Sequence, residues 1–130
     1  LTVDLRNTDD AKIEEATALL GGFLDELAEA EGVRIETRSL ARFAPVTFDA
    51  ELVERVERVA HRLGQTSRRM PSGAGHDAQS FRDIGILGMI FVPSRDGISH
   101  APGEYTSPQQ ITNGANVLLG TLTELDRRLD

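Results

Sequence analysis

The hydrophobic period of this chain switches between two and about 3.6 residues, and those switches restrict its folding more than any bulk property does. The opening stretch LTVDLR puts Leu1, Val3 and Leu5 on one face and Thr2, Asp4 and Arg6 on the other, the pattern of a half-buried strand. NTDD follows with cap side chains and early acids, which suit the positive end of a helix. Ile13, Ala16, Leu20, Phe23, Leu24 and Leu27 then recur at helical spacing, and Gly32 is the expected stop. VRIETRSL alternates again. Residues 1–45 therefore read as a strand-helix-strand piece of an α+β layer.

Beyond Pro45 the pattern differs in kind. Asp49 is a cap candidate, and Leu52, Val56, Val59, Ala60 and Leu63 make a helical stripe that ends at Gly64. The loop SGAGHD and a short segment containing Phe81 lead to ILGMIFVPS, an apolar run with the length and flanks of a buried strand. The last helix is expected to start with Ser107 and Gln110 as a capping box and Pro108 at the first helical position. Its stripe is Ile111, Ala115, Leu118, Leu122, Leu125 and Leu129. Residues 46–130 read as helices and strands of a mainly parallel sheet, so the predicted class is α/β. Neither half has the strands for a thick core.

Composition removes several function classes. A net charge of −7 argues against a nucleic-acid partner, which needs a basic patch. The pairs Arg68–Arg69 and Arg127–Arg128 sit among acids and read as solvated surface. With no cysteine, thiolate metal sites and a cysteine nucleophile are excluded. No apolar run approaches the ~20 residues of a membrane span, so no membrane partner is expected. The opening on LTVDLR, without methionine, predicts that the chain begins inside a longer protein.

Two loops could carry chemistry. In SGAGHD the small residues let backbone N–H groups form an anion-binding concavity, His76 could donate to a developing oxyanion, and Asp77 could orient the ring or cap the following helix. The competing reading is a tight glycine turn with a surface histidine. A phosphate loop needs a lysine that is absent here, and a Ser72–His76–Asp77 triad is not expected because triads assemble from separate elements. GISHAPGE follows the apolar run, where open α/β sheets bind ligands. His100 is a candidate metal ligand there, with Glu104 as a partner behind it. A lone histidine is weak support, since catalytic zinc takes about three protein ligands. His61 reads as a surface or packing residue of its helix.

Taken together, MPSGAGHDAQSF, GMIFVPSRDGISHAPGEYTS and VDLRNTDDAKI resemble the M20-type metal-dependent amidohydrolases, in the hydantoinase/carbamoylase branch. That branch includes N-carbamoyl-L-amino-acid hydrolases, allantoate amidohydrolases and β-ureidopropionases. The resemblance implies that His100 is a ligand of a two-metal centre holding zinc, manganese, cobalt or nickel. It implies that His76 polarises the reacting amide, and that the Gly75 N–H and Arg6 bind the substrate carboxylate. Asp77 and Glu104 are then supporting residues. Residues 1–45 would be the end of a lid or dimerisation domain, and residues 46–130 the C-terminal part of the catalytic domain.

The implied protein is a cytoplasmic homodimer that hydrolyses a carboxylate-bearing small molecule at a carbamoyl or amide bond. The family's other metal ligands and its general-base glutamate have no counterpart here, so this chain alone is expected to be inactive. Other M20 activities (an aminoacylase or a dipeptidase) share the chemistry, and a metal-free binding or oligomerisation module is the reading from a different class.

Overall fold

The computed structural model describes residues 1–126. It contains three α-helices: α1 (Asp10–Glu31), α2 (Ala50–Arg62) and α3 (Pro108–Asp126), with short 3₁₀ turns at Asp77–Phe81 and Arg95–Gly97. Leu129 of the expected stripe and the Arg127–Arg128 pair lie outside the described residues. The chain divides into two compact units, Leu1–Thr47 with Pro71–Gly75, and Phe48–Met70 with the residues from His76 onward.

No strand or sheet forms among the described residues, which overturns the α/β class, its mainly parallel sheet and the strand-helix-strand piece. LTVDLR, VRIETRSL and ILGMIFVPS all lie outside any element. Alternation assigns side chains to faces, but a strand exists only when a neighbour completes its ladder of hydrogen bonds. The apolar run shows the difference. The Leu87 carbonyl accepts from the Asp49 N–H at 3.0 Å, a bond to the N-terminus of α2 and not to a second strand. Ile86, Phe91 and Val92 are exposed, so the run is only partly covered.

The helices start and stop where local chemistry directs. Asp9 caps α1 by accepting from the Ala11 N–H at 3.0 Å, and Gly32 ends it in the left-handed region at φ 62°, its N–H reaching Ala28 and Glu29 carbonyls. Asp49 caps α2 by accepting from the Leu52 N–H at 2.8 Å, and Gly64 follows its end at φ 72°. Ser107 accepts from the Gln110 N–H at 3.3 Å where α3 begins.

In the first unit α1 half-buries Ile13, Leu20, Leu24 and Leu27, while Phe23 on the same helix is exposed. In the second unit α2 packs on α3 around Val59, Ala60 and Val117, with Val56 and Ile90 against them. Gly120 permits this approach, since a Cβ there would fall 2.8 Å from Val59 Cγ1, and Gly88 lets the apolar run close on α2, since a Cβ there would fall 2.8 Å from Leu52 Cδ2. The buried face of α3 therefore carries Val117 and Thr121. The expected stripe is not that face, since Ile111, Leu118 and Leu122 are exposed.

Buried Arg55 lies 3.8 Å from the Glu124 carboxylate, and Arg62 approaches the same group at 2.5 Å. The hydrogen bond from Arg62, with the Arg55 and Arg58 charges nearby, holds the Glu124 carboxyl below its usual range. No helix among the described residues is long and apolar enough to cross a membrane.

Candidate functional site

Arg6 is the most connected of the candidate residues. Its Nε and Nη2 donate to Asp4 Oδ2 at 3.0 and 2.7 Å, and its Nη1 donates to the Gly73 carbonyl at 2.6 Å. Asp4 and Arg6 are two residues apart, so they share the polar face that the alternation of LTVDLR assigned to them. The Gly73 bond spans 67 residues and ties VDLR to the SGAG loop inside the first unit. That loop is closed by its own serine: the Ser72 hydroxyl donates to the Ala74 carbonyl at 2.8 Å and accepts from the Ala74 N–H. Gly75 ends the segment.

The electrostatics follow from the geometry. The Arg6 hydrogen bond pulls the Asp4 carboxyl below its ordinary value, and the same bond raises the already high Arg6. A guanidinium has five N–H groups. Three are engaged here, which leaves one on Nη1 and one on Nη2. Two N–H groups on neighbouring nitrogens are the arrangement that binds a carboxylate bidentately.

His76 opens the second unit's share of the loop. Its backbone is extended at φ −143°, and its Nδ1 accepts from the Ala78 N–H at 3.0 Å, so the imidazole itself caps the 3₁₀ turn Asp77–Phe81. The capping role considered for Asp77 is thus filled by its neighbour, and Asp77 is the first residue of the turn. Gln79 completes the device, with its side-chain oxygen accepting from the His76 N–H at 3.2 Å and its own N–H donating to the His76 carbonyl at 2.9 Å.

His100 sits in a loop bent back on itself. Its φ of 55° lies in the left-handed region, where a side chain is tolerated only under local constraint. Glu104 supplies that constraint by accepting the His100 N–H at 2.7 Å, and the Glu104 N–H donates to the Ala101 carbonyl at 2.9 Å. Glu104 is therefore bonded to the backbone of His100. Ser94 donates to the Ile98 carbonyl, the Arg95 N–H reaches the Tyr105 carbonyl at 2.8 Å, and the Arg95 guanidinium lies over the Tyr105 ring. His61 is exposed on α2 with its Nε2 at 3.0 Å from the Ser67 hydroxyl.

The residues present do not make a metal site by themselves. Among the described residues no three His, Asp or Glu side chains converge. His100 brings one imidazole, and Glu104 is committed to a backbone N–H. One ligand does not hold a divalent ion tightly. Two surface hollows, one along Leu122, Thr123, Leu125 and Asp126 and one along Glu51, Glu54, Arg55 and Arg58, contain none of the candidate residues.

Asp4, Gly73 and Gln79 take part in these contacts although none was singled out from the sequence. Two of them had a signal to find: the Asp-x-Arg spacing places Asp4 beside Arg6, and Gln79 stands at the capping-box distance from His76. Gly73 acts through its carbonyl, which no side-chain pattern reveals.

Residues 5–124 match the sequence profile of peptidase family M20/M25/M40. An N-carbamoyl-L-amino-acid amidohydrolase of Rhizobium meliloti is 36% identical over 123 residues, and the alignment takes in 95% of this chain and 30% of that protein. An allantoate amidohydrolase of Escherichia coli is 34% identical over 124 residues, again 95% of this chain and 30% of the relative. A crystal structure of a hydantoinase/carbamoylase-family amidase from Burkholderia multivorans superposes with a TM-score of 0.82 at 37% identity, over 89% of this chain and 28% of that one. The chain thus spans about 30% of the length of the curated relatives it matches.

Proposed function

The chain belongs to peptidase family M20/M25/M40, and from that membership we propose that it forms part of an amidohydrolase that cleaves the carbamoyl or ureido C–N bond of a carboxylate-bearing small molecule. The observation that carries this reading is the 2.6 Å bond from Arg6 to the Gly73 carbonyl. It anchors the guanidinium on the SGAG loop and leaves an N–H pair free for a carboxylate. The names of the relatives, N-carbamoyl-L-amino-acid and allantoate amidohydrolases, support substrates of that type.

In this reading Arg6 and the Gly75 N–H hold the carboxylate, and a fixed carboxylate fixes the distance to the scissile carbon. His76 donates a hydrogen bond to the oxygen on which negative charge develops. His100 contributes one ligand to a divalent metal centre whose remaining ligands lie outside this chain. With that centre incomplete, the chain by itself holds no metal tightly and turns nothing over.

The test is an assay of the full natural protein with N-carbamoyl amino acids and allantoate-type ureido acids, each with and without added zinc, manganese, cobalt or nickel. Hydrolysis is expected with at least one metal, and His100→Ala should lower both the bound-metal stoichiometry and the rate. No hydrolysis with any metal would remove the enzymatic reading. Unchanged metal content in His100→Ala would remove the ligand assignment.

A further inference from the structure

We infer that the turn after His76 is a tautomer lock: the Ala78 N–H fixes the imidazole as its Nε2–H form, and Gln79 is the positioning residue that holds the lock closed. The inference rests on the reading of His76 as a hydrogen-bond donor to the reacting oxygen, and it adds which nitrogen donates and what orients it. A backbone N–H has only a proton to offer, so the nitrogen that receives it must be the unprotonated one. Here that nitrogen is Nδ1, 3.0 Å from the Ala78 N–H. In a neutral ring the proton then sits on Nε2, the only donor the side chain has left.

Gln79 holds both backbone groups of His76 at the start of the turn. Its Oε1 accepts the His76 N–H at 3.2 Å, and its N–H reaches the His76 carbonyl at 2.9 Å. This is the reciprocal arrangement of a capping box, with an imidazole nitrogen where serine or threonine usually stands. Without the Gln79 side chain, the His76 N–H turns to water and the His76 backbone can rotate away from the extended geometry that aims Nδ1 at Ala78. Ala78 and Gln79 are half-buried while His76 is exposed, so the supporting side of the turn is the more covered one. Histidine ring orientation set by a hydrogen bond to the nitrogen that does no chemistry is a general device of catalytic sites.

The experiment is a long-range ¹H–¹⁵N correlation spectrum of the full natural protein labelled in histidine, at alkaline pH, with the His76 signals assigned by their loss in His76→Ala. The expected spectrum shows an unprotonated Nδ1 and a protonated Nε2, and a proton on Nδ1 would overturn the lock. Gln79→Ala should mix the two tautomers and lower kcat by about tenfold or more with KM little changed, short of the ~10⁴-fold lost when a catalytic histidine is held in the wrong tautomer. Gln79→Glu keeps an acceptor at the same position and should restore both readouts. A Gln79→Ala protein with the wild-type spectrum and kcat would overturn the role of Gln79. His76→Ala supplies the separate control. Full kcat in that variant, beside a wild-type spectrum showing Nε2–H, would remove the oxyanion role of His76 and leave the lock standing.

Discussion

Arg6 illustrates how one side chain can serve two partners and remain available for a third. The Asp4 carboxylate and the Gly73 carbonyl together take three of its five N–H groups, and both are supplied by the same unit of the chain. A lysine has a charge but no rigid fork, so Arg6→Lys cannot reproduce the two anchors and the carboxylate pair at once. Charge-assisted hydrogen bonds contribute about 1.5–3 kcal/mol each, and the lysine ammonium can replace one of the pair, so a net loss of one bond should cut kcat/KM by roughly 10- to 100-fold. Most of the change should appear in KM. The check is steady-state kinetics of the full natural protein on an N-carbamoyl amino acid and on its carboxamide analogue. Wild type and variant should differ on the acid and agree on the amide, and an equal loss on both would show that Arg6 does not read the carboxylate.

The helices divide into what neighbours in sequence dictate and what packing partners dictate. Asp9, Asp49, Gly32 and Gly64 mark helix ends in the structure as they do in the sequence, because a cap involves residues only a few positions apart. The face of α3 that packs was not legible in this way. Leucines drew the stripe to Leu118 and Leu122, but α2 approaches where Gly120 leaves room for fully buried Val59. Gly120→Val should therefore destabilise the second unit by about 1–3 kcal/mol through overpacking. Gly21 lies within α1 with open space around it, so Gly21→Ala should stabilise that helix by about 0.5–1 kcal/mol. Urea titrations of the two variants measure both signs. The ion pairs of this helix pair give a pH dependence as well. Arg62 and Arg55 depress the Glu124 carboxyl in the folded state. The stability from that pairing is complete above the ordinary glutamate value near 4.3 and is lost as pH falls through the lower folded value. Wild type should lose urea resistance as pH falls below about 4.5 by more than Glu124→Gln does. Parallel curves for the two proteins would show that the Glu124 pairing contributes nothing.

Across the chain, the amount of buried apolar surface sets how the folded state resists denaturation. The first unit has no fully buried side chain, and the second is organised on Val59, Ala60 and Val117. Phe43 is 83% exposed, and Leu19, Phe23, Leu118 and Leu122 are each more than 45% exposed. Composition alone does not foresee this, because the sequence holds enough hydrophobic residues for an ordinary core, 39% of its length. Alternation and stripes show which side chains want burial, but not whether anything in the same chain covers them. The three strand-like segments are the clearest case, LTVDLR and VRIETRSL marked by alternation and ILGMIFVPS by its apolar run, with no ladder to hold them. The slope of a urea transition scales with the surface exposed on unfolding, and small proteins with complete cores give about 1–3 kcal/mol per M. For residues 1–130 alone the slope should fall below about 1 kcal/mol per M. Exposed apolar faces should also bind an apolar dye such as ANS before any denaturant is added. Circular dichroism against urea, with dye fluorescence on the same samples, tests both expectations. A steep single transition without dye binding would mean that these faces are covered in solution, and that the buried surface exceeds the cluster around Val59.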